Sequence, residues 1–282
     1  MAAGGPPGTQ GFRPTKSMGQ CFLVDGNITE KIIRSTGFSA ADGVLEVGPG
    51  FGILTRALSS TAGRVVAVEL DGRLLPALRE STSAAGNVDI IHGDILKTDV
   101  AELVNDKLSG LRKHVCANLP YNITTPALSL FIESGVFQTI TVMIQREVAQ
   151  RICAKPGTPE YGSFTVFANY HVRPEILFTV PPECFSPRPR VYSAVVRMET
   201  LRERMLTPEE EPLFFRVVRA AFHQRRKTLV NALFSAFGRT HKKDEIADVV
   251  RACGFNEMIR GETLSIEEFA KLSRFLRSKP FV

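Results

Sequence analysis

The chain has 282 residues, 44% hydrophobic and 23% charged, an ordinary globular balance that argues against a largely disordered protein. No apolar run approaches the roughly 18–20 residues that cross a bilayer, which argues against a helical membrane protein. The formal net charge is +6, which suits a polyanionic partner without identifying one, because neutralising phosphates releases counterions.

The first ten residues are rich in Gly and Pro and lack the apolar stretch of a secretory signal, while Arg13 and Lys16 are too few for a transit peptide. A disordered tail over 1–15 and a cytoplasmic protein are expected. Cys21, Cys116, Cys153, Cys184 and Cys253 are odd in number and widely spaced, with no histidine at ligand spacing. Reduced thiols and no metal are expected.

From 44 to 144, short Val- and Ile-rich runs alternate with helical segments. Strands are predicted over 44–47, 65–69, 88–92, 115–118 and 140–144. Near-continuous apolarity, as in Val65-Val66-Ala67-Val68, marks strands covered on both faces, hence an α/β fold with a doubly wound sheet. A helix near 147–152 and strands over 164–170, 176–180 and 194–198 follow. The last two strands flank a Pro-rich loop and predict a terminal antiparallel hairpin on a domain spanning 16–204.

Near residue 205 the pattern changes to a small helical domain, 205–282. Thr207-Pro208-Glu209-Glu210 predicts a helix start, and Ser265 with Glu268 forms a capping-box spacing that Leu264 and Phe269 can staple.

Two loops carry the chemistry. Val47-Gly48-Pro49-Gly50-Phe51-Gly52 ends a strand and opens a helix. Its glycines permit a tight turn and close passage of backbone, at Gly48 and Gly50, past a bound molecule. A dinucleotide fingerprint needs a third glycine where Ile53 stands, so the spacing points away from NAD. Glu69 ends the next strand, 21 positions beyond Gly48, where an acid reaches ribose hydroxyls; Asp94, after the third strand, can accept from an adenine amine. As an isolated residue, Asp94 would read as a turn former.

Asn118-Leu119-Pro120-Tyr121 follows the strand Val115-Cys116-Ala117 at the same edge. An exocyclic adenine amine is a poor nucleophile, because its lone pair is delocalised into the ring. Hydrogen bonds accepted from it by Asn118 and a backbone carbonyl favour a pyramidal nitrogen. Pro120 holds Leu119 extended with its carbonyl outward, and Tyr121 supplies a ring for stacking. With a methyl already activated on a sulfonium, placement and desolvation suffice for direct transfer.

These motifs, with Ser17-Met18-Gly19-Gln20-Cys21-Phe22-Leu23, Gln145-Arg146-Glu147, the loop 180–190 and the run 221–229, make the chain resemble the KsgA family of ribosomal RNA adenine dimethyltransferases. The resemblance implies S-adenosyl-L-methionine as methyl donor and N6,N6-dimethylation of two adjacent adenosines. These lie in a hairpin loop near the 3′ end of small-subunit ribosomal RNA. A 30S-type assembly intermediate would be the partner, and a monomer is expected. It implies that Leu23, Gly48, Glu69, Asp94 and Asn118 surround the cofactor. Tyr121 and Phe185 would sandwich the target base, although Phe185 also reads as a core aromatic.

Two positions depart from the family pattern: Cys21 where Asn is usual, and Tyr192 where Asp is common. A thiol cannot replace an amide's hydrogen bonds, so either the backbone carries the cofactor contact at Cys21 or affinity changes; Tyr192 has no assignment. Arg225, Arg226 and Lys227 interrupt an apolar helical pattern and read either as phosphate contacts or as a solvated charged face. Lys16 and Arg188 are further RNA-binding candidates. A large-subunit ribosomal RNA methylase and an assembly factor with secondary methylation are the competing functions.

Overall fold

The computed structural model describes residues 12–15 and 19–278. The chain enters through a two-residue strand, β1 (Phe22–Leu23), and helix α1 (Gly26–Thr36), started by the Asp25 carboxylate accepting the Asn27 N–H at 2.9 Å. Alternating strands and helices follow: β2 (Asp42–Val47), α2 (Ile53–Ser59), β3 (Arg64–Glu69), α3 (Leu75–Ser81), β4 (Val88–His92), α4 (Val100–Lys107), β5 (Arg112–Asn118), α5 (Thr124–Ser134) and β6 (Thr139–Gln145). Next come α6 (Arg146–Ile152), α7 (Ser163–His171), β7 (Val172–Val180), β8 (Phe185–Ser186) and β9 (Ser193–Thr200). Helices α8 (Glu211–His223), α9 (Leu229–Phe237), α10 (Lys243–Ala252) and α11 (Ile266–Ser278) complete the described chain.

Among the described residues one sheet has the order β4-β3-β2-β5-β6-β9-β7, and β1 pairs with β8 in a second, small sheet. Strands β2 to β6 are parallel, in registers such as Val44↔Val65 and Leu45↔Val115, and β9 runs antiparallel to β6 with Ile144 opposite Ala194. Every residue of β2 is buried, including the charged Asp42 and Glu46 among its apolar neighbours, as expected of a strand covered on both faces. The chain builds outward from β2 to β4 and then returns to place β5 on the other side of β2. This reversal opens a crevice between the carboxyl ends of β2 and β5, the place where open α/β sheets bind ligands.

The described chain divides into two compact units. One holds the residues up to Ala149 with Pro174–Thr200; the other holds Gln150–Arg173 with those from Leu201 on. The first packs Leu23, Ile32, Leu58, Val65, Val180 and Phe185 in one apolar cluster; the second is built on Val166, Tyr170, Phe214, Leu233, Phe237 and Phe269. The boundary expected at 204/205 therefore does not separate the units, because 150–173 join the helical one.

Residues 164–170, expected as a strand, lie within α7. Their aromatic and β-branched content suggests a strand, but the spacing is helical: Phe164, Phe167 and His171 contact ring to ring along one face, while Val166 and Tyr170 are buried in the core. Helix α8 begins at Glu211, four residues after the predicted cap. Glu210 turns back to accept the Thr207 N–H at 3.0 Å and closes a turn there. The box at Ser265 and Glu268 forms reciprocally, at 2.8 and 3.2 Å, with Leu264 and Phe269 buried beside it.

Phe12 and Thr15, assigned by composition to the tail, are seated. The Phe12 ring meets Phe22 and Phe51 edge-on, and the Thr15 hydroxyl accepts from Arg73 at 2.7 Å. The rest of the expected tail, 1–11, lies outside the described residues. Among the described residues the five cysteines are free, no helix is long and apolar enough to cross a membrane, and no group of metal-binding side chains assembles.

Candidate active site

The glycine loop and the catalytic loop leave the carboxyl ends of β2 and β5 and touch each other. Gly48 takes a left-handed conformation (φ 67°), and its N–H donates to the Val68 carbonyl at 3.0 Å. A Cβ at this position would stand 3.3 Å from the Pro120 ring, so glycine here allows the two loops to close-pack. Gly50 (φ 59°) lies against the Phe22 ring, where a Cβ would approach to 2.7 Å.

Glu69, at the end of β3, is buried and spans the site. Its Oε2 accepts the Gly50 N–H at 3.1 Å and its Oε1 accepts the Asp71 N–H at 2.8 Å. Burial pushes its carboxyl above the ordinary range against the pull of these donors. A carboxylate offers about four acceptor sites, so Glu69, with the Gly50, Asp71 and Leu70 N–H groups on it, keeps capacity for a ligand hydroxyl. Asp94 caps the short turn after β4, with Oδ1 accepting the Leu96 N–H at 3.0 Å.

A two-lobed cleft runs along this edge. One lobe is lined by Gly19, Gln20, Cys21, Asn118 and Tyr121 among others. The other, a space of ≈ 740 Å³ including its open mouth, suits a small molecule; its apolar walls Val68, Leu70, Ile95, Leu96 and Ile123 surround Asp94. Gln20, Gly48, Glu69 and Pro120 face both lobes.

The geometry of the catalytic loop follows from one bond. Asn118 Nδ2 donates to the Cys21 carbonyl at 3.1 Å, and because a carbonyl only accepts, this sets the amide orientation. The Leu119 N–H is used by Met143 O at 3.1 Å, and the Pro120 carbonyl accepts from the Ile123 N–H and the Thr124 hydroxyl, both at 3.2 Å. Among the described residues no donor takes the Leu119 carbonyl. Asn118 Oδ1 and Leu119 O are therefore two acceptors held on one loop. Beside them the Tyr121 hydroxyl is 2.7 Å from Ser193 Oγ, and burial raises its pKa, keeping the phenol neutral.

The expected site residues separate into groups. Cys21, Gly48, Glu69, Asp94, Asn118, Leu119, Pro120 and Tyr121 line the cleft. Gly50 supports it through Glu69. Cys21 makes its Asn118 contact through the backbone; its thiol, raised in pKa by burial, is not needed for that bond. Leu23 and Phe185 pair across β1 and β8, are each 4% exposed, belong to an apolar cluster and are not among the residues lining the two lobes.

Arg225 is engaged within the helical unit. It pairs with Glu262 and donates to the carbonyls of Pro159 (2.6 Å) and Thr158 (3.0 Å), clamping the helical unit. Arg226 and Lys227, in the connection between α8 and α9, are exposed and form no side-chain ion pair among the described residues. Arg188 is exposed and pairs with Glu183, and Lys16 lies outside the described residues.

Residues that the sequence did not single out complete the site. Gln20 donates from Nε2 to Asp71 Oδ2 at 2.9 Å and accepts the Thr15 N–H at 2.8 Å. Asp71 is held by Arg73, whose hydrogen bonds bring its carboxyl to about 2. Ser193 is fully buried and orients Tyr121. Spacing carries no signal for these partners, which lie 51 and 72 positions apart.

The family model described as ribosomal RNA adenine dimethylase matches residues 11–273. The ribosomal RNA small subunit methyltransferase A of Listeria welshimeri is 44% identical over 270 residues, 94% of this chain and 92% of that protein. Among solved structures, a dimethyladenosine transferase from Plasmodium falciparum superposes with a TM-score of 0.77 at 24% identity, covering 89% of this chain and 95% of that one. The 23S rRNA methyltransferase ErmE superposes at 0.71, also at 24% identity, covering 91% and 100%. At that identity these two likenesses speak for the fold alone.

Proposed function

The chain belongs to the ribosomal RNA adenine dimethylase family, and from this premise we propose that it N6,N6-dimethylates two adjacent adenosines in small-subunit ribosomal RNA with S-adenosyl-L-methionine. The adenosines lie in a hairpin loop near the 3′ end, and the substrate is a 30S-type assembly intermediate met in the cytoplasm by a monomeric enzyme. The cleft fits the donor: Glu69 keeps acceptor capacity for a ribose hydroxyl, and Asp94, whose Oδ2 lies 3.9 Å from Lys97 Nζ, lines the larger lobe together with apolar side chains. When bound, S-adenosyl-L-methionine supplies a methyl made electrophilic by its positive sulfur.

The chain's own residues then prepare the acceptor. Asn118 Oδ1 and Leu119 O accept the two hydrogens of the adenine N6 amine, drawing the nitrogen toward a pyramidal shape with its lone pair toward the methyl. Tyr121, fixed by Ser193, stacks on the base and excludes water. No residue needs to act as a strong base, since the nitrogen sheds its proton to water after transfer. The second transfer needs the same placement, with one N–H remaining to be held. The observation that carries this reading is the Asn118 amide anchored on the Cys21 carbonyl, which leaves its oxygen facing the cleft beside Tyr121.

The test is methyl transfer from labelled S-adenosyl-L-methionine to small subunits lacking adenine dimethylation, with large subunits and DNA in parallel, followed by nucleoside identification by mass spectrometry. Dimethyladenosine from small subunits alone is expected. Label only in large subunits or DNA, or tight subunit binding with no label, would overturn the assignment.

A further inference from the structure

Tyr192 is 47% exposed, unusual for a ring so close to a buried catalytic partner. It immediately precedes Ser193, the residue that holds the Tyr121 hydroxyl, so its Cα lies about 3.8 Å from that of Ser193. Its main chain is tied to the end of β6, where the Arg146 N–H donates to the Tyr192 carbonyl at 2.9 Å. The Arg146 guanidinium lies over the ring, 5.0 Å from its centre, and forms no ion pair among the described residues. Val191 beside it is 44% exposed, and Arg188 and Arg190 follow the same open turn. The result is a half-exposed aromatic ring with a cation over it, near the exposed Arg190 and near Arg188, which pairs with Glu183.

We propose that Tyr192, backed by Arg146, is a stacking platform for a nucleotide flanking the target adenosine, and so a specificity-determining residue of this enzyme. Tyr192 immediately precedes β9 and is exposed where Ser193, the partner of Tyr121, is fully buried, so the platform serves a neighbouring base and not the reacting one. An unstacked base in an RNA loop is the occupant that this surface suits: it offers a π-face to the ring, while its phosphates meet the arginines. A peptide partner would need acidic complementarity to the arginines beside the ring, and would show itself as an absent RNA quench.

This inference rests on the proposed RNA substrate, and its test separates the two. Tyr192→Ala, Tyr192→Asp and Tyr192→Phe would be assayed on small subunits lacking dimethylation. In parallel, a hairpin RNA carrying 2-aminopurine beside the two adenosines reports stacking by quenching, without turnover. With stacking worth about tenfold in affinity, Tyr192→Ala should raise KM for the subunit about tenfold and abolish the quench, with kcat changed less than about twofold. Tyr192→Asp should be worse, Tyr192→Phe should match the wild type, and S-adenosylhomocysteine affinity should not move. Unchanged KM and quench in Tyr192→Ala, a loss confined to melting temperature, or equal damage from Tyr192→Phe would overturn the platform. A wild type that quenches but does not methylate would sink the proposed function and leave the platform standing.

Discussion

The two edges of the same sheet handle buried polar groups in opposite ways. At the amino edge, Asp42 opens β2 and is fully engaged. Its Oδ1 lies 2.7 Å from Arg112 Nε and 3.1 Å from His114 Nε2, and its Oδ2 accepts from the Ser39 N–H, the Ser39 hydroxyl and Arg112 Nη2 at 2.8–2.9 Å. His114 passes its other nitrogen to the Thr139 hydroxyl at 2.8 Å. At the carboxyl edge, Glu69, Asp94 and Asn118 are also held by hydrogen bonds, yet each lines the cleft and keeps acceptor capacity, Asp94 with an exposed Lys97 3.9 Å from its Oδ2. The first edge closes on itself and serves stability; the second is rigid and incomplete, the condition for binding. Polar residues alone do not mark function; their unspent valence does.

Asn118→Ala should break this division most clearly. It removes an acceptor made useful only by its anchor at Cys21, so kcat for methyl transfer to small subunits should fall by roughly 10³-fold. Subunit binding and melting temperature should barely change; loss of binding as well would refute the division between orienting and binding groups.

Asp42→Ala is the converse. It strands the buried His114 beside Arg112 and should lower unfolding free energy by about 3 kcal/mol in urea titration, while kcat of the folded enzyme stays at the wild-type value. Asp42 also responds to acid. Burial pushes its carboxyl up, but the Ser39, Arg112 and His114 hydrogen bonds outweigh burial and hold it below the ordinary range. Its contribution is therefore present above the unfolded pKa and lost as pH falls through the lower folded value.

Glu46, mid-strand in β2 between the two edges, has the opposite sign. Complete burial pushes its carboxyl to about 8, and one oxygen has no partner. Because the folded value is raised, stability is present at low pH and lost as pH rises through about 8. Glu46→Gln, uncharged at every pH, should melt about 4 °C higher than the wild type at pH 9. That advantage should vanish at pH 5; equal melting curves at both pH values would refute a protonated Glu46.

The smallest expected effect repeats the contrast within three residues. Arg225 is spent on Glu262, Thr158 and Pro159, whereas Arg226 and Lys227 are open. Arg226→Gln and Lys227→Gln should each lower the salt slope of subunit binding by about 1 with no change in melting. Arg225→Gln should instead destabilise α8 and α9 to hydrogen exchange and leave that slope unchanged.

The predicted strands 44–47, 65–69, 88–92, 115–118 and 140–144 all fall within β2 to β6, because strands packed inside a sheet concentrate Val and Ile in short runs, even where β4 is only partly buried. The cleft-facing residues were legible for a related reason: they sit within a few positions of strand ends, where glycine spacing and the Asn-Leu-Pro-Tyr order are local. Misreadings arose where composition and periodicity disagreed, as in α7. Other placements depend on a distant partner and carry no local signal: Leu23 and Phe185 turn inward where β1 meets β8, and Arg225 pairs with Glu262, 37 positions away.

The sequence alone determined most strands of the sheet and marked the glycine and Asn-Leu-Pro-Tyr loops at their ends, since apolar runs, capping and glycine placement act over a few residues; α7 was not among the segments it determined. Only the tertiary structure decided which polar atoms are spent and which remain open. Cys21 meets Asn118 across 97 positions and Ser193 meets Tyr121 across 72, and such pairings exist only once packing has brought distant strands together.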